Sequence, residues 1–285
     1  MSDLYIGTCS WKYPSWQGLV YSKPKDINYL EEYARHYNTV EIDQWFWSLF
    51  GDKVVLPDIK TAEAYAKASP EGFLFTIKVP NSITLTHKKS GGKNFPEPNP
   101  HFLSQDLFEQ FLHTIEPIRD KTAYLIFQFE YLNKKKMESL PKFQVLFNDF
   151  ISGIPPESPR VAIELRNPNY LTNSYFKFLS EYKITPVLLH GYYMPPVWET
   201  INKFKDLIND SLIIRLHGPD RSGMDKISGE NWNKIYADSL EELRSLAAVI
   251  NELAAKEVDI YLNINDHFEG SAPLTIERMQ KLIQI

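Results

Sequence analysis

Short apolar runs alternate with amphipathic segments along the whole chain. Eight runs are rich in Val, Ile, Leu and aromatic residues, as strands are, and the segments between them space apolar residues as helices do. The predicted strands are residues 4–10, 39–44, 73–79, 124–129, 160–165, 186–190, 212–217 and 258–264. Such alternation produces parallel strands joined by crossovers. The pattern over residues 1–285 therefore predicts one α/β domain, a (β/α)8 TIM barrel with a closed parallel eight-stranded sheet. A doubly wound open sheet is the alternative.

Helix-capping residues stand between several of these runs. Asp26 is predicted to cap the first helix, Ser104 the helix after the third strand, and Thr172 the helix after the fifth strand. Pro273 is predicted to open the last helix. Between the seventh and eighth strands the pattern predicts one long helix that reaches about residue 255.

Polar residues interrupt the predicted strands, although a parallel strand buried on both faces should be almost entirely apolar. Successive side chains point to opposite faces, so Glu41 and Asp43 share one face of the second strand while Val40 and Ile42 share the other. By the same alternation, the inner face of the barrel also receives Lys78, Gln128, Glu164, Arg166, His190, Arg215, His217, Asn263 and Asn265. Most of them stand at C-terminal strand ends, where active sites of TIM barrels lie.

The composition narrows the classes of function. A net charge of −5 and a pI of about 5.8 do not suit long tracts of DNA or an anionic membrane. The single cysteine, Cys9, excludes an intramolecular disulfide and fits a reducing compartment. No apolar run approaches the roughly 18 residues that span a bilayer, and residues 1–5 lack the features of a signal peptide. We expect a cytoplasmic protein with no membrane association; its oligomeric state stays open.

Several short segments together resemble a known family. They are residues 7–16 (GTCSWKYPSW), residues 37–42 (YNTVEI), Lys78 with Thr86-His87, residues 127–128, residues 164–168 (ELRNP), residues 215–218 (RLHG) and residues 265–266. In this order and spacing they are similar to the YecE-like family, also called domain of unknown function 72. The resemblance implies a TIM barrel and a site at these positions. It implies no reaction, because the family has no established activity.

The inward charges suggest general acid–base chemistry. Glu41 and Glu164 are the candidate bases, and Lys78 and His217 are the candidate acids, because a carboxylate near an amine or imidazole is the minimum for proton transfer. Buried charges must be paired or bound to something. A structural network of ion pairs that fills the barrel is therefore the alternative.

Binding of an anion is the second expectation. Arg166 and Arg215 suit a carboxylate or a phosphate, and Ser271 begins a helix where TIM barrels often bind phosphate; for Ser271 an ordinary helix cap is the alternative. Residues 87–93 are predicted to form a basic loop, which either acts as a lid over an anion or is simply exposed to solvent. The other candidate substrate-binding residues are Trp11, Tyr13, His87, Gln128 and Asn265.

The favoured function is an enzyme that acts on a polar, anionic small molecule, phosphorylated or not. Hydrolase, lyase and isomerase chemistry are all compatible with these residues. One alternative is a nucleic-acid-binding or nucleic-acid-processing protein, in which loop aromatics such as Trp11 and Tyr13 stack on bases. Another is a non-catalytic scaffold.

A metal-dependent hydrolase or isomerase is a further alternative. Glu41, Asp43, Glu164, His190, His217 and Asp266 carry suitable ligand atoms for a divalent metal. The sequence contains no HxH or HExxH spacing, and cationic residues in the same lining repel a metal ion. We predict no cofactor and no metal. Cys9 is expected to be a small buried residue rather than a nucleophile.

Overall fold

Eight parallel strands form one curved sheet at the centre of the molecule. The structure is a computed structural model that describes residues 2–23, 25–88 and 97–284. The strands of the sheet are β1 (Leu4–Thr8), β2 (Thr39–Ile42), β5 (Leu74–Lys78), β6 (Thr122–Phe129), β7 (Arg160–Leu165), β8 (Thr185–His190), β9 (Ser211–Leu216) and β10 (Asp259–Ile264). A separate antiparallel pair consists of β3 (Leu49–Phe50) and β4 (Lys53–Val54). The sheet confirms the predicted TIM barrel.

Neighbouring strands follow the order of the chain, and β10 returns to pair with β1. The last contact of the ring, between β1 and β2, is a bridge of Cys9 with Glu41 in which the Ser10 N–H donates to the Glu41 carbonyl at 3.0 Å. The barrel is therefore nearly closed, and β1 and β2 are held together just beyond the C-terminal end of β1, next to the inward-facing charges.

Helices surround the sheet. They are α1 (Tyr29–Tyr33), α2 (Ile59–Ala68), α3 (Asn81–Thr84), α4 (Gln105–Thr114), α5 (Leu140–Ile151), α6 (Asn173–Glu181), α7 (Val197–Phe204), α8 (Arg221–Ser228), α9 (Leu240–Ala255) and α10 (Ala272–Gln280). Short 3-10 helices occupy Pro14–Trp16, Glu116–Lys121, Pro168–Tyr170 and Lys205–Leu207. Among the described residues, no helix combines the length and the apolar character needed to cross a membrane.

The helix starts agree only in part with the sequence. Ser104 and Thr172 cap α4 and α6 as predicted, each accepting a backbone N–H at 3.3 Å. The prediction for Asp26 was wrong: Asn28 accepts the Glu31 N–H and caps α1, whereas Asp26 adopts a left-handed backbone conformation. The long helix predicted to reach about residue 255 is α9, which ends at Ala255, but the shorter helix α8 before it was not predicted.

The floor of the barrel is aromatic. The ring of Tyr261 stacks on Tyr5, with centroids 4.5 Å apart, and meets the edge of Tyr124 at 5.0 Å. Ile126, Ala162, Val187 and Ile213 also belong to this inner cluster, which is separate from the larger apolar cluster between the sheet and the helices. The interior is thus filled at its N-terminal end, as in other TIM barrels, and polar side chains occupy only the opposite end.

The predicted strand faces are confirmed in most strands and wrong in β8. Ile42 and Ile214 belong to the outer apolar cluster, so the polar residues next to them in sequence point inward. In β8, however, Val187 belongs to the inner cluster, so alternation places His190 on the outer face. There His190 Nε2 lies 3.1 Å from the carboxylate of Glu242 on α9. The residues just before His190 are all apolar, so the sequence could not show which of them face into the barrel.

Replacement of Gly7 tests the closure of the barrel. A Cβ on Gly7 would overlap the carbonyl oxygen of Thr39, a backbone atom of the adjacent strand β2. We expect Gly7→Ala to lower the free energy of unfolding by about 2 kcal/mol or more, because the overlap forces β1 and β2 apart. Urea denaturation measures the change. Gly153→Ala is the control, since the three atoms nearest to its Cβ all belong to the flexible side chain of Gln105; equal losses in the two variants would contradict the prediction.

Candidate functional site

A buried arginine occupies the centre of the polar end of the barrel. Arg215 on β9 is fully buried, and its guanidinium forms a two-point pair with Glu41 on β2, from Nε to Oε2 and from Nη2 to Oε1, each 2.7 Å. Nη1 donates to Glu164 on β7 and, at 3.1 Å, to Gln128 on β6. Arg215 thus ties strands from opposite sides of the barrel together. The charge of this guanidinium is tolerated in the interior only because both edges of the group donate hydrogen bonds to acceptors.

A second arginine extends this network toward solvent. Arg166, just beyond β7, donates from Nε to Glu164 at 2.8 Å and from Nη2 to Gln128 at 3.0 Å, and its side chain is 23% exposed. Burial alone would raise the pKa of Glu164, but the guanidinium groups of Arg215 and Arg166 outweigh it and lower that pKa to about 2. Glu164 is therefore ionised at any ordinary pH.

Two uncharged residues complete the inner layer. Asn263 on β10 is fully buried and donates from Nδ2 to Glu41 at 3.2 Å and to Thr76 on β5 at 3.0 Å. Alternation placed Asn263 inside the barrel, but nothing in the sequence linked it to Glu41. Thr76 was missed as well, although it stands two positions before Lys78 and therefore shares its face. Asn263 thus supports the carboxylate that Arg215 binds, and Thr76 supports Asn263.

Lys78, at the end of β5, is the cation that this network does not neutralise. In the part of the chain that the structure describes, no carboxylate lies within 4.0 Å of its Nζ, which instead sits 4.1 Å from the centroid of the Phe46 ring. Lys78 is only 7% exposed. Burial, and then the charge of Arg215, lower the pKa of Lys78 to about 8, against the opposing pull of the nearby carboxylates.

Three more titratable groups face the same space. Burial raises the pKa of Asp43, after β2, to about 6, although Lys78 works against this. Burial, followed by the charges of Arg215 and Arg166, lowers the pKa of His217 well below its usual range, so its imidazole is neutral. His217 Nε2 lies 3.7 Å from the sulfur of Cys9, and burial holds the pKa of that thiol well above its usual range. Cys9 is therefore a protonated thiol, not a thiolate nucleophile.

The barrel and its polar centre can now be compared with known proteins. The model of a family described as "Protein of unknown function DUF72" matches residues 5–285. The chain belongs to the DUF72 family. This confirms the resemblance seen in the sequence, since the YecE-like family and DUF72 are the same family. No curated protein matches the chain.

Solved structures share the fold of this DUF72 chain. A DUF72 family protein from Enterococcus faecalis V583 is 20% identical, with a TM-score of 0.66, over 99% of this chain and 96% of that one. A DUF72 family protein from Thermotoga maritima MSB8 is 21% identical, with a TM-score of 0.63, over 98% and 97%. The spore cortex-lytic enzyme SleL of Bacillus megaterium QM B1551 is 12% identical, with a TM-score of 0.51, over 98% and 74%. These likenesses show a common fold.

The aromatic candidates lie around the DUF72 site rather than in its network. Trp11 is buried against the edge of the Tyr65 ring, at 5.1 Å, and its carbonyl accepts the Tyr21 hydroxyl, so it packs the loop after β1. Tyr13 is half-buried, and burial, then the charge of Asp266, raise the pKa of its hydroxyl well above the usual range. Tyr13 therefore presents a neutral phenol.

His87 is separate from the network. Its Nδ1 lies 3.0 Å from the Thr86 hydroxyl, which in turn donates to Glu130 at 3.3 Å, and its backbone bridges Pro98. None of these contacts reaches Arg215 or Lys78. Residues 89–93 of the predicted basic loop lie outside the described residues.

The start of α10 is used internally. Asp266 accepts the Ala272 N–H at 2.7 Å and the Trp16 indole N–H at 3.2 Å, and burial raises the pKa of Asp266 to about 8. Ser271 is fully buried, and its hydroxyl has no partner among the described residues. A protonated carboxyl therefore occupies the helix end where the sequence suggested a phosphate. Asn265 accepts the backbone N–H of His267 at 3.0 Å.

An open cleft of about 610 Å³ lies beside the site and was missed in the sequence. Tyr13, Trp232 and His267 are among the residues that line it, and the ring centroids of Trp232 and His267 lie 4.8 Å apart. His267 Nε2 lies 2.8 Å from the carboxylate of Asp225 on α8. These residues come from loops and from a helix that the pattern did not resolve, so no alternation rule could bring them together.

The candidate ligands of the alternative metal site do not converge among the described residues. Within residues 2–23, 25–88 and 97–284, no group of three His, Cys, Asp or Glu side chains is arranged to hold a metal ion. Glu41 and Glu164 point at Arg215, and His190 lies on the opposite face of the sheet from the site. Two of the four candidate carboxylates, Glu41 and Glu164, are thus engaged by a guanidinium.

The cost of burying Lys78 can be measured. Its pKa falls from 10.5 to about 8 on folding, so replacing it should stabilise the protein by up to about 3 kcal/mol at neutral pH. We expect Lys78→Met to raise the free energy of unfolding. Lys121→Met is the matched control: Lys121 donates to the Ala66 carbonyl at 3.1 Å and to the Ser69 hydroxyl at 2.9 Å, so its loss should destabilise.

The pH dependence of the free energy of unfolding shows whether the proton of Lys78 causes this difference in stability. Below pH 8 both the folded and the unfolded chain bind the proton of Lys78, and the wild type carries the whole penalty. Between pH 8 and 10.5 only the unfolded chain binds it, so the wild type gains stability as the pH rises. The advantage of Lys78→Met should therefore vanish toward pH 10.5. Urea denaturation across this range checks it, and a constant difference would contradict the assignment.

Proposed function

We propose that this DUF72 protein is an enzyme that acts on a polar, anionic small molecule, with proton transfer at the C-terminal ends of its strands. The position of Lys78 supports this most directly. An amine that is buried without a carboxylate partner lowers stability, whereas a network that serves the fold alone would pair it. Groups perturbed in this way cluster at functional sites.

The network assigns different tasks to the carboxylates. Glu41 and Glu164 are bound to Arg215, and the low pKa of Glu164 makes it a weak proton acceptor. We therefore assign them to positioning rather than to proton transfer. The pKa of Lys78 is lowered to about 8 and the pKa of Asp43 is raised to about 6, so both values lie close to neutral pH. Groups with such pKa values exchange protons efficiently near pH 7.

Arg166 is the group that we assign to the anion. Its Nε and Nη2 donate inward, while Nη1 has no partner among the described residues and the side chain is partly exposed. The face of the Tyr192 ring, 5.4 Å from the guanidinium carbon, steadies its orientation. A guanidinium held in this way can bind a carboxylate or phosphate with little loss of side-chain entropy.

Anion binding can be tested with succinate and inorganic phosphate as probes. We expect Arg166→Gln to weaken the binding of both about tenfold or more, because a charge-assisted hydrogen bond is lost. Titration calorimetry measures the affinities. Arg160→Gln is the matched control, since Arg160 begins the same strand and pairs with Asp210 at the opposite end of the barrel. Equal affinities in both variants, or no binding by the wild type, would contradict the proposal.

Exposed aromatic residues support nucleic-acid binding as a second candidate. Trp47, Tyr131 and Tyr193, which follow β2, β6 and β8, are 56%, 48% and 56% exposed. Aromatic side chains in such positions stack on bases. The same titrations separate the candidates when repeated with single-stranded DNA at increasing salt. Tight binding that falls steeply with salt would favour nucleic acid, because each neutralised phosphate adds to the slope.

A further inference from the structure

Lys78 has the surroundings of a nucleophile. Unlike Arg166 and Arg215, it has no carboxylate within ion-pair distance in the described part of the chain, and its Nζ faces the Phe46 ring. A buried ammonium without a counter-ion tends to lose its proton, and a neutral lysine amine attacks carbonyl carbon atoms. At pH 7.5 a pKa of about 8 leaves an unprotonated fraction more than a hundredfold larger than that of an ordinary lysine.

We propose that Lys78 forms an imine with the carbonyl carbon of an aldehyde or ketone substrate whose acidic group is held by Arg166. The inference rests on the proposed function and names its substrate class, a carbonyl compound that also carries a carboxylate or phosphate. It explains why the amine is kept buried and unpaired although this costs stability.

The strand order places the two groups at a suitable separation. Strands β5, β6 and β7 are neighbours, so Lys78 and Arg166 stand on either side of β6, whose Gln128 lies between them. The register aligns Lys78 with Ile126 and Ile126 with Ala162, so Arg166 also lies four residues further along the chain than the residue aligned with Lys78. The two backbones are therefore about 16 Å apart, and the Arg166 side chain shortens this distance because it reaches back to Gln128 on β6. An anion bound at Arg166 can therefore present a carbonyl carbon to Lys78 when only a few bonds separate the two groups.

The step is balanced without an oxidant or a reductant. The Nζ lone pair bonds to the carbonyl carbon, the C=O π pair moves to oxygen, and the oxygen takes up a proton while nitrogen releases one, giving a carbinolamine. The hydroxyl group then leaves as water with a second proton, and the nitrogen lone pair forms the C=N bond. One water is released, and no electrons are exchanged.

Neighbouring groups suit these proton transfers. Asp43, with a pKa of about 6, supplies the proton for the departing hydroxyl and takes it back. The neutral imidazole of His217 does not compete for the acidic group of the substrate as a cation would. The thiol of Cys9, which stays protonated, does not compete with Lys78 as a nucleophile.

Reductive trapping tests the imine. The full chain is incubated at pH 7.5 with succinic semialdehyde and borohydride, and peptide mass spectrometry locates the reduced adduct. We expect Lys78 to be modified at least tenfold faster than Lys121, and Lys78→Met to lose this rapid phase. Butanal, which has the same chain length without the carboxylate, is the matched probe, and we expect it to react with Lys78 at least tenfold more slowly.

The outcomes separate the two proposals. Modification of Lys78 no faster than of Lys121, in a protein that binds succinate, would overturn the imine and leave the anion-binding enzyme standing. Rapid modification that is equal for both aldehydes and unchanged in Arg166→Gln would support the imine and contradict the role of Arg166. If the wild type neither binds succinate nor forms the reduced adduct at Lys78, both proposals are contradicted.

Discussion

The structure depends on how one buried guanidinium is satisfied. Arg215 lies at the centre of the barrel, and its two-point pair with Glu41 and its bond to Glu164 connect strands that do not touch each other in the sheet. Removing either partner would leave an uncompensated charge at a fully buried position, at a cost of about 3–5 kcal/mol. The network therefore fixes both the shape of the polar end and the ionised state of Glu164.

This constraint also decides what remains available for chemistry. Glu41 and Glu164 are used to hold Arg215, whereas burial brings the pKa values of Lys78 and Asp43 close to neutral pH. The positive charge of Arg215 contributes to the low pKa of Lys78. The same interaction that stabilises the centre of the barrel thus makes the nearby amine reactive. Unfavourable interactions such as the burial of this amine are often concentrated at functional sites, where they lower the stability of the protein.

Much of the fold, and the membership of the polar cluster, could be predicted from the sequence because alternation within a strand is strictly twofold. Glu41, Lys78, Glu164 and Arg215 were all found in this way. His190 was misplaced because three apolar residues precede it, and either parity suits such a run. The pairing could not be predicted, since several carboxylates and cations allow many combinations and only the register of β2, β7 and β9 selects one. The cleft between Tyr13 and His267 depends on loop geometry, which periodicity does not encode.

The protonation of Lys78 is the central claim, and an NMR titration measures it directly. Lysine labelled with 13C at Cε reports the deprotonation of the adjacent amine, and the spectrum of Lys78→Met assigns the resonance. The account predicts a pKa of about 8 for Lys78 in the folded wild type, with the other lysines titrating at higher pH. A pKa near 10.5 would show that Lys78 has a counter-ion or free access to water, and it would contradict both the reactive amine and the site built around it.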